Sequence, residues 1–375
     1  MKTAIVHDWI VTRAGAENCL EAIYDLYPSP IHALVYDPKS VRESAVLRDA
    51  EMHASFLQSI PGAARLYRNF LPLFPRAVES LDVSGAELIL TSSHAVAKGV
   101  RKRADQLNIC YCYTPMRYAW DLYDQYMAGL DPFRRAAAAV ALRRLRAWDK
   151  ATASRVDHFV AISEHVAERV RRLYGREAAV IYPPVDTEAF TLETKKSDYF
   201  ITVSRMVPYK RMDLIAETFT ALGLPLVIVG DGPERARVAA KAGPTVKLLG
   251  ALPGPEMRRL VSKARAFIFA AEEDFGIAPV EAMACGTPVI GYGKGALLET
   301  VADGQHGVLF REQTPGSLAD AVSRFERIEK TLDPEAIRRN AERFSRARFD
   351  REFKAFVDSR WAEFKGRKAS LAGVA

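Results

Sequence analysis

Short apolar runs alternate with amphipathic stretches along the whole chain. Residues 3–6 form the first run of strand length, and Asp8 to Ala14 reads as a loop. From about Gly15, the residues Leu20, Ile23, Tyr24 and Tyr27 recur at helical spacing. Residues 87–91, 108–113 and 157–163 read as further strands that run out into polar residues, and Ser163 is placed to cap a helix over Glu164–Tyr174. Residues 199–204, 226–230, 246–249, 266–270 and 288–290 repeat the pattern in the second half, with helices between them. A last amphipathic helix over residues 350–365 gathers Phe353, Phe356, Val357, Trp361 and Phe364. Such alternation predicts an α/β chain with doubly wound parallel sheets, whose ligands are met at the C-terminal ends of strands.

Tyr182-Pro183-Pro184 interrupts this pattern, because two adjacent prolines bar a regular helix and stiffen the chain. Domains over residues 1–182 and 183–348 are therefore expected, followed by a terminal helix over 349–375. At 375 residues the chain exceeds one typical domain. No run approaches the roughly 18 apolar residues of a membrane span. The apolar stretch at Met1 is too short for a signal peptide, so a cytoplasmic location is expected. Cys19, Cys110, Cys112 and Cys285 make neither a disulfide framework nor a zinc pattern, and buried free thiols are expected.

The net charge of +7 changes the picture through its placement. Basic residues crowd residues 98–176, which suits an anionic membrane surface or a phosphate-bearing substrate. No nucleic-acid-binding motif accompanies them. Residues 59–81, which include Arg68 and Arg76, mix aromatic, aliphatic and basic side chains around prolines. They suit either an interfacial membrane contact or an ordinary pair of short helices.

The candidate chemistry gathers at predicted strand ends. Glu273-Asp274-Phe275-Gly276-Ile277-Ala278-Pro279-Val280-Glu281 follows an apolar run, and Pro279 fits the first turn of a helix. Two carboxylates thus flank a glycine turn and a helix N-terminus, an arrangement suited to a polyhydroxylated anion. Arg205 and Lys210, five residues apart on a strand-to-helix loop, can grip one diphosphate by a fork and a point charge. Gly15 and Ala16 would offer backbone amides to a phosphate. Gly230-Asp231-Gly232-Pro233 lacks the third glycine of a dinucleotide fingerprint, which disfavours an oxidoreductase. No Asp-x-Asp occurs, so no metal cofactor is expected and cations take that role.

Taken as a set, these motifs resemble the family-4 glycosyltransferases of the GT-B fold, over nearly the whole chain. The resemblance rests on Arg13-Ala14-Gly15-Ala16-Glu17, on Thr114-Pro115-Met116-Arg117-Tyr118-Ala119-Trp120-Asp121, and on Ile181-Tyr182-Pro183-Pro184-Val185-Asp186. It also rests on Ser204-Arg205 with Lys210, Gly230-Asp231-Gly232-Pro233-Glu234, the Glu273–Glu281 pair and Cys285-Gly286-Thr287-Pro288-Val289-Ile290. The look is that of bacterial polysaccharide mannosyltransferases. It implies two Rossmann-like domains facing across a cleft, the first binding acceptor and the second nucleotide sugar, with the C-terminal helix crossing back to the first. It implies a retaining, metal-independent transfer of a hexose, best matched by mannose from GDP-mannose, to a lipid-linked or oligosaccharide acceptor at the inner membrane face.

By the same resemblance Arg205 and Lys210 hold the diphosphate, Glu281 the ribose, and Glu273 with the Phe275, Gly276 and Ile277 stretch the donor sugar. Gly15 and Ala16 approach the phosphate, and Leu252 lines the base pocket. Arg117 and Tyr118, with Arg68 and Arg76, are candidates for acceptor or membrane contact. Two positions depart from the pattern. Tyr113 stands where a histidine that touches the donor sugar is common, and Ala14 where a second glycine is usual. A UDP-sugar transferase and a non-catalytic nucleotide-sugar-binding scaffold remain alternatives.

Overall fold

Continuous apolar strands, covered on both faces, dictate two parallel sheets. A computed structural model describes residues 1–12, 14–121, 127 and 131–372. The chain divides into a first unit, residues 1–182 with 349–375, and a second, residues 183–348.

In the first unit the strands are β1 (Thr3–Ile10), β2 (Ile31–Tyr36), β3 (Met52–Ala54), β4 (Leu88–Ser93), β5 (Leu107–Cys112), β6 (His158–Ala161) and β7 (Ala178–Val180). They lie in the order β3-β2-β1-β4-β5-β6-β7, every pairing parallel. The order turns back between β1 and β4, where Ala4 pairs with Ile89 and His7 with Ser92. A crevice opens at the strand ends of such a reversal, because the connections leave in opposite directions. The helix Gly15–Leu26 follows β1 directly and buries Cys19, Leu20 and Ile23. Both β4 and β5 are buried along their length, and all four cysteines are free and buried.

The short strands β2, β3 and β7 escape the sequence pattern. Strand β2 sits between Pro30 and Asp37 with no polar alternation, and β3 and β7 are three residues each. Residues 56–79 fold as short helical turns, Phe56–Ser59, Ala63–Leu66, Tyr67–Leu73 and Phe74–Glu79. Their inner side chains Leu57, Ala63, Tyr67, Phe74 and Val78 join the core.

The final helix runs over Arg346–Ala372, longer at both ends than its apolar pattern. From Phe349 onward it belongs to the first unit. Phe349 and Phe353 stack at 5.2 Å and both meet Tyr111 of β5 edge-on, at 5.5 and 5.7 Å. The Tyr27 hydroxyl donates to Asp358 Oδ1 at 3.1 Å.

In the second unit the strands are β8 (Phe200–Val203), β9 (Leu226–Val229), β10 (Val246–Gly250), β11 (Phe267–Phe269), β12 (Val289–Tyr292) and β13 (Gly307–Phe310). Their order, β10-β9-β8-β11-β12-β13, again turns back once, between β8 and β11. Phe200, Phe219, Ile228, Ile268, Ile290, Phe310 and Phe325 fill the core. Strand β13 was not expected from the pattern; Gly304 and Gly307 bracket a tight turn just before it. Among the described residues no helix is long and apolar enough to cross a membrane.

Candidate functional site

Each sheet carries a polar cluster at its point of reversal. In the second unit the chain leaves β8 at Ser204 and exposes Arg205. Met206 is fully buried; its amide donates to Asp231 O at 2.8 Å, and its carbonyl accepts from Glu234 N at 3.1 Å. The loop is thereby tied to the turn after β9. A single helical turn, Pro208–Lys210, follows, and Arg211 takes a left-handed conformation at φ 51° before the helix Met212–Leu222. That conformation is costly for a residue with a Cβ, and it marks where the loop is forced to reverse. The reversal sets Lys210 against the loop after β11: its Nζ touches Glu273 Oε1 and lies over the rings of Tyr209 and Phe269, at 5.3 and 5.7 Å.

Glu273 lies four residues past β11, not at its tip as the apolar run suggested, because β11 stops at Phe269. Its backbone is fixed by a bridge to Gly295, and its carbonyl accepts from Ala296 N at 3.0 Å. Gly295 has φ +66°, and a Cβ there would lie 2.6 Å from the Glu273 carbonyl oxygen, so only glycine fits. Gly276, at φ +83°, opens the helix Ile277–Ala284 without a side-chain cap. The glycine brings no capping side chain of its own to the first amides of that helix, which carry a partial positive charge. Phe275 is buried and packs edge-on to Phe344 at 5.5 Å.

Glu281 lies within the same helix and is half-buried. Burial pushes its carboxyl up to about 7; Arg258 pulls the other way and Asp186 adds to the rise. Its charge is thus poised to change near neutrality. Leu252, half-buried, follows β10 at the far edge of the sheet. Lys210, Glu273, Gly276 and Ile277 are brought together at the reversal, whereas Arg205 makes no ion pair among the described residues.

In the first unit the cluster is different in kind. Asp8, on β1, is fully buried. Its Oδ2 accepts from the amides of His94 and Ala95 at 2.7 and 2.9 Å, and its Oδ1 from Val96 and Ala97 at 2.6 and 2.7 Å. One carboxylate thus organises the whole loop that leaves β4. Beside it, His7 Nδ1 lies 3.0 Å from Ser92 Oγ, Ser92 Oγ lies 2.8 Å from the Tyr113 hydroxyl, and Tyr113 donates to Ala16 O at 2.9 Å. Burial lowers the His7 imidazole to about 3 and raises the Tyr113 phenol, so both stay neutral. Gly15 and Ala16 begin the helix after β1, with Glu17 Oε2 accepting from Ala14 N at 3.0 Å. Arg13, quoted in the motif, lies outside the described residues.

Arg117 and Tyr118, both half-buried, sit on the loop after β5. Arg169 holds that loop at two points, donating to Thr114 Oγ1 at 2.6 Å and pairing with Asp121 at 2.6 Å. Arg68 and Arg76 are exposed among the short helical turns, together with Phe56, Leu66 and Leu73.

The sequence reading missed His7, Asp8, Ser92 and His94 as a group, along with Arg169 and the Arg258–Asp186 environment of Glu281. One signal was present for the group. Polar residues close two otherwise apolar strands that become neighbours only once the strand order is known.

Two family models match the chain in succession: "Glycosyltransferase Family 4" over residues 49–189 and "Glycosyl transferases group 1" over residues 186–344. A glycosyltransferase of Methanocaldococcus jannaschii is 26% identical over 184 residues, 47% of this chain and 52% of that protein. The D-inositol 3-phosphate glycosyltransferase of Mycolicibacterium smegmatis is 28% identical over 194 residues, 44% of each chain. The aligned part of this chain thus spans about half the length of the curated relatives it matches. Among solved structures, Anabaena HepE in complex with UDP and glucose superimposes with a TM-score of 0.68 at 17% identity, covering 96% of this chain and all of that one. That likeness establishes the shared GT-B fold.

Proposed function

Because the chain belongs to the family-4 glycosyltransferases, we propose that it moves a hexosyl group from a nucleoside diphosphate sugar to a saccharide acceptor. The transfer proceeds with retention at the anomeric carbon and without a metal ion. The observation that carries this reading is the contact between Lys210 and Glu273 at the β8/β11 reversal, beside the uncapped helix N-terminus at Gly276. As the bond from the anomeric carbon to the diphosphate breaks, negative charge grows on the leaving oxygen. The Lys210 ammonium, the Arg205 guanidinium and the amides of Gly276 and Ile277 stabilise that charge. Glu273 orients Lys210 and accepts hydroxyl protons of the donor sugar, while Glu281 accepts from the ribose. No covalent role falls to Glu273, whose carboxylate is engaged by the ammonium.

Mannose from GDP-mannose is the donor that the sequence motifs favour. A UDP-hexose is the alternative, supported by the UDP and glucose held by the HepE structure. A thermal-shift screen of GDP- and UDP-sugars, followed by assay of nucleoside diphosphate release, tests the reading. GDP-mannose should raise Tm and be turned over. Stabilisation by UDP-sugars alone would replace the donor, and binding without release, in the presence of glycoside acceptors, would leave only a scaffold.

The acceptor we propose is polyprenyl-diphosphate-linked or oligosaccharide, met at an anionic membrane surface. Exposed Phe56, Leu66 and Leu73 interleaved with exposed Arg65, Arg68 and Arg76 support this. Vesicles with anionic lipid should bind the protein at low salt and release it at high salt; indifference to lipid charge would count against the membrane role.

A further inference from the structure

Hydrogen-bond directions at the β1/β4 reversal follow from the supply of protons. The Ala16 carbonyl only accepts, so the Tyr113 hydroxyl donates its single proton there. Tyr113 then accepts from Ser92, and Ser92, its own proton committed, accepts from His7 Nδ1. The order is His7 to Ser92 to Tyr113 to Ala16, with His7 neutral and protonated on Nδ1. Tyr113 is buried, and its one proton goes to the backbone that begins the helix at Gly15. It has no proton left to give a substrate.

His94 stands differently. Its side chain is 23% exposed, and its Nδ1 lies 3.2 Å from Asp8 Oδ2. That approach lacks hydrogen-bond geometry, so Asp8 holds the residue through its backbone amide, and Nε2 can bond a hydroxyl as acceptor or donor according to the tautomer. Among the described residues Nε2 has no hydrogen-bond partner. The imidazole meets Trp9 edge-on at 4.5 Å and Tyr113 at 6.1 Å. Trp9 is itself only partly buried. An imidazole beside an indole is a surface for a pyranose, whose hydroxyls need polar partners and whose C–H bonds need an apolar one.

We propose that His94, held by Asp8 and flanked by Trp9, is the side chain of the first unit that hydrogen-bonds a pyranose hydroxyl of the substrate, with Tyr113 a positioning residue behind it. The proposal rests on the glycosyl-transfer reading above. It assigns the role by geometry to a strand end other than the one that carries Tyr113.

The test compares wild type with H94A, H94F and H94Q. Alanine leaves the residue 94 amide on Asp8, so the loop keeps all four of its backbone bonds. Phenylalanine keeps a ring against Trp9 but lacks the ring nitrogens. Glutamine restores a polar group that can accept or donate near the Nε2 position. One arm measures hydrolysis of GDP-mannose and UDP-glucose without acceptor; the other measures transfer to methyl α-mannoside and methyl α-glucoside. H94A and H94F should each lose roughly ten- to hundredfold in kcat/KM, the scale of one buried hydrogen bond to substrate, and H94Q should recover most of it. Loss in the hydrolysis arm assigns the hydroxyl to the donor sugar; loss confined to the KM of the glycoside assigns it to the acceptor. Where H94A melts far below wild type, H94F decides in its place. An active wild type with H94F equally active in both arms overturns the role of His94 and leaves the transferase reading standing. A wild type inert toward every donor overturns the transferase reading, and the proposal with it.

Discussion

The two strand-order reversals make a controlled comparison, since both sit at the ends of parallel strands and are followed by a helix. At β8/β11 charge resides on side chains: Arg205 is exposed, and Lys210 reaches across to Glu273. At β1/β4 the fully buried carboxylate of Asp8 is held by four backbone amides, and its neighbours His7, Ser92 and Tyr113 form a neutral chain. The same topology thus supports two kinds of site. Side-chain ions can follow a ligand whose charge changes during reaction, whereas a carboxylate fixed by the backbone builds a rigid wall. The comparison predicts that charge removal harms activity at one reversal and folding at the other.

The largest effect is expected from Lys210→Ala, which should lower turnover on the order of a thousandfold while moving Tm only slightly. A parallel collapse of the fold, seen by circular dichroism, would break the contrast between the two reversals; near-normal turnover would sink the assignment of Lys210. Asp8→Asn should show the opposite balance. An amide in place of the carboxylate turns an NH2 group toward two of the four amides and removes the charge they share. At about 1–3 kcal/mol for each buried amide left without an acceptor, the loss is at least about 2 kcal/mol. That corresponds to at least roughly 4–8 °C in the melting temperature of a domain of this size. A variant as stable as wild type in a urea titration would show that the amides find other partners.

Glu281→Gln sharpens the comparison more gently, through pH. The carboxyl is raised in the folded protein from 4.5 to about 7, so between those values the folded state binds more protons than the unfolded chain. Stability from this group therefore falls as pH rises from about 4.5 to about 7 and is level above, with a ceiling of about 3 kcal/mol. Glutamine removes that slope. Nucleotide-sugar affinity of the wild type should tighten severalfold between pH 6 and pH 8 as the carboxylate becomes an acceptor for ribose hydroxyls, and the variant should be flat. Identical pH profiles, measured by calorimetry, would remove Glu281 from the ribose.

The legible part of the fold was the part written in local periodicity. Leu20 and Ile23 announced the helix after β1, and Ser163 its own capped helix, where it accepts from Val166 N at 3.1 Å. Three-residue strands such as Ala178–Val180 were not legible, because so short a run has no period to detect. The motif around Glu273 and Gly276 was visible because its residues are adjacent in sequence. The Asp8–His94 pair was not: its members are 86 positions apart and become neighbours only through the pairing of β1 with β4. Tyr113 could be named as a departure, yet where its proton goes depends on Ala16, 97 residues away. Arg205 and Lys210 were recognisable as a pair of cations, but the left-handed Arg211 that turns the loop back was not.

The final helix has a consequence for the order in which the protein can assemble. The second unit is one uninterrupted stretch, residues 183–348, and holds its whole core as soon as that stretch has been synthesised. The first unit is not. Tyr111, a fully buried side chain of β5, is covered by Phe349 and Phe353, which a ribosome adds more than 230 residues later. Although it comes first in the sequence, this unit completes its packing last, and until then the edge of Tyr111 waits exposed on a nascent chain.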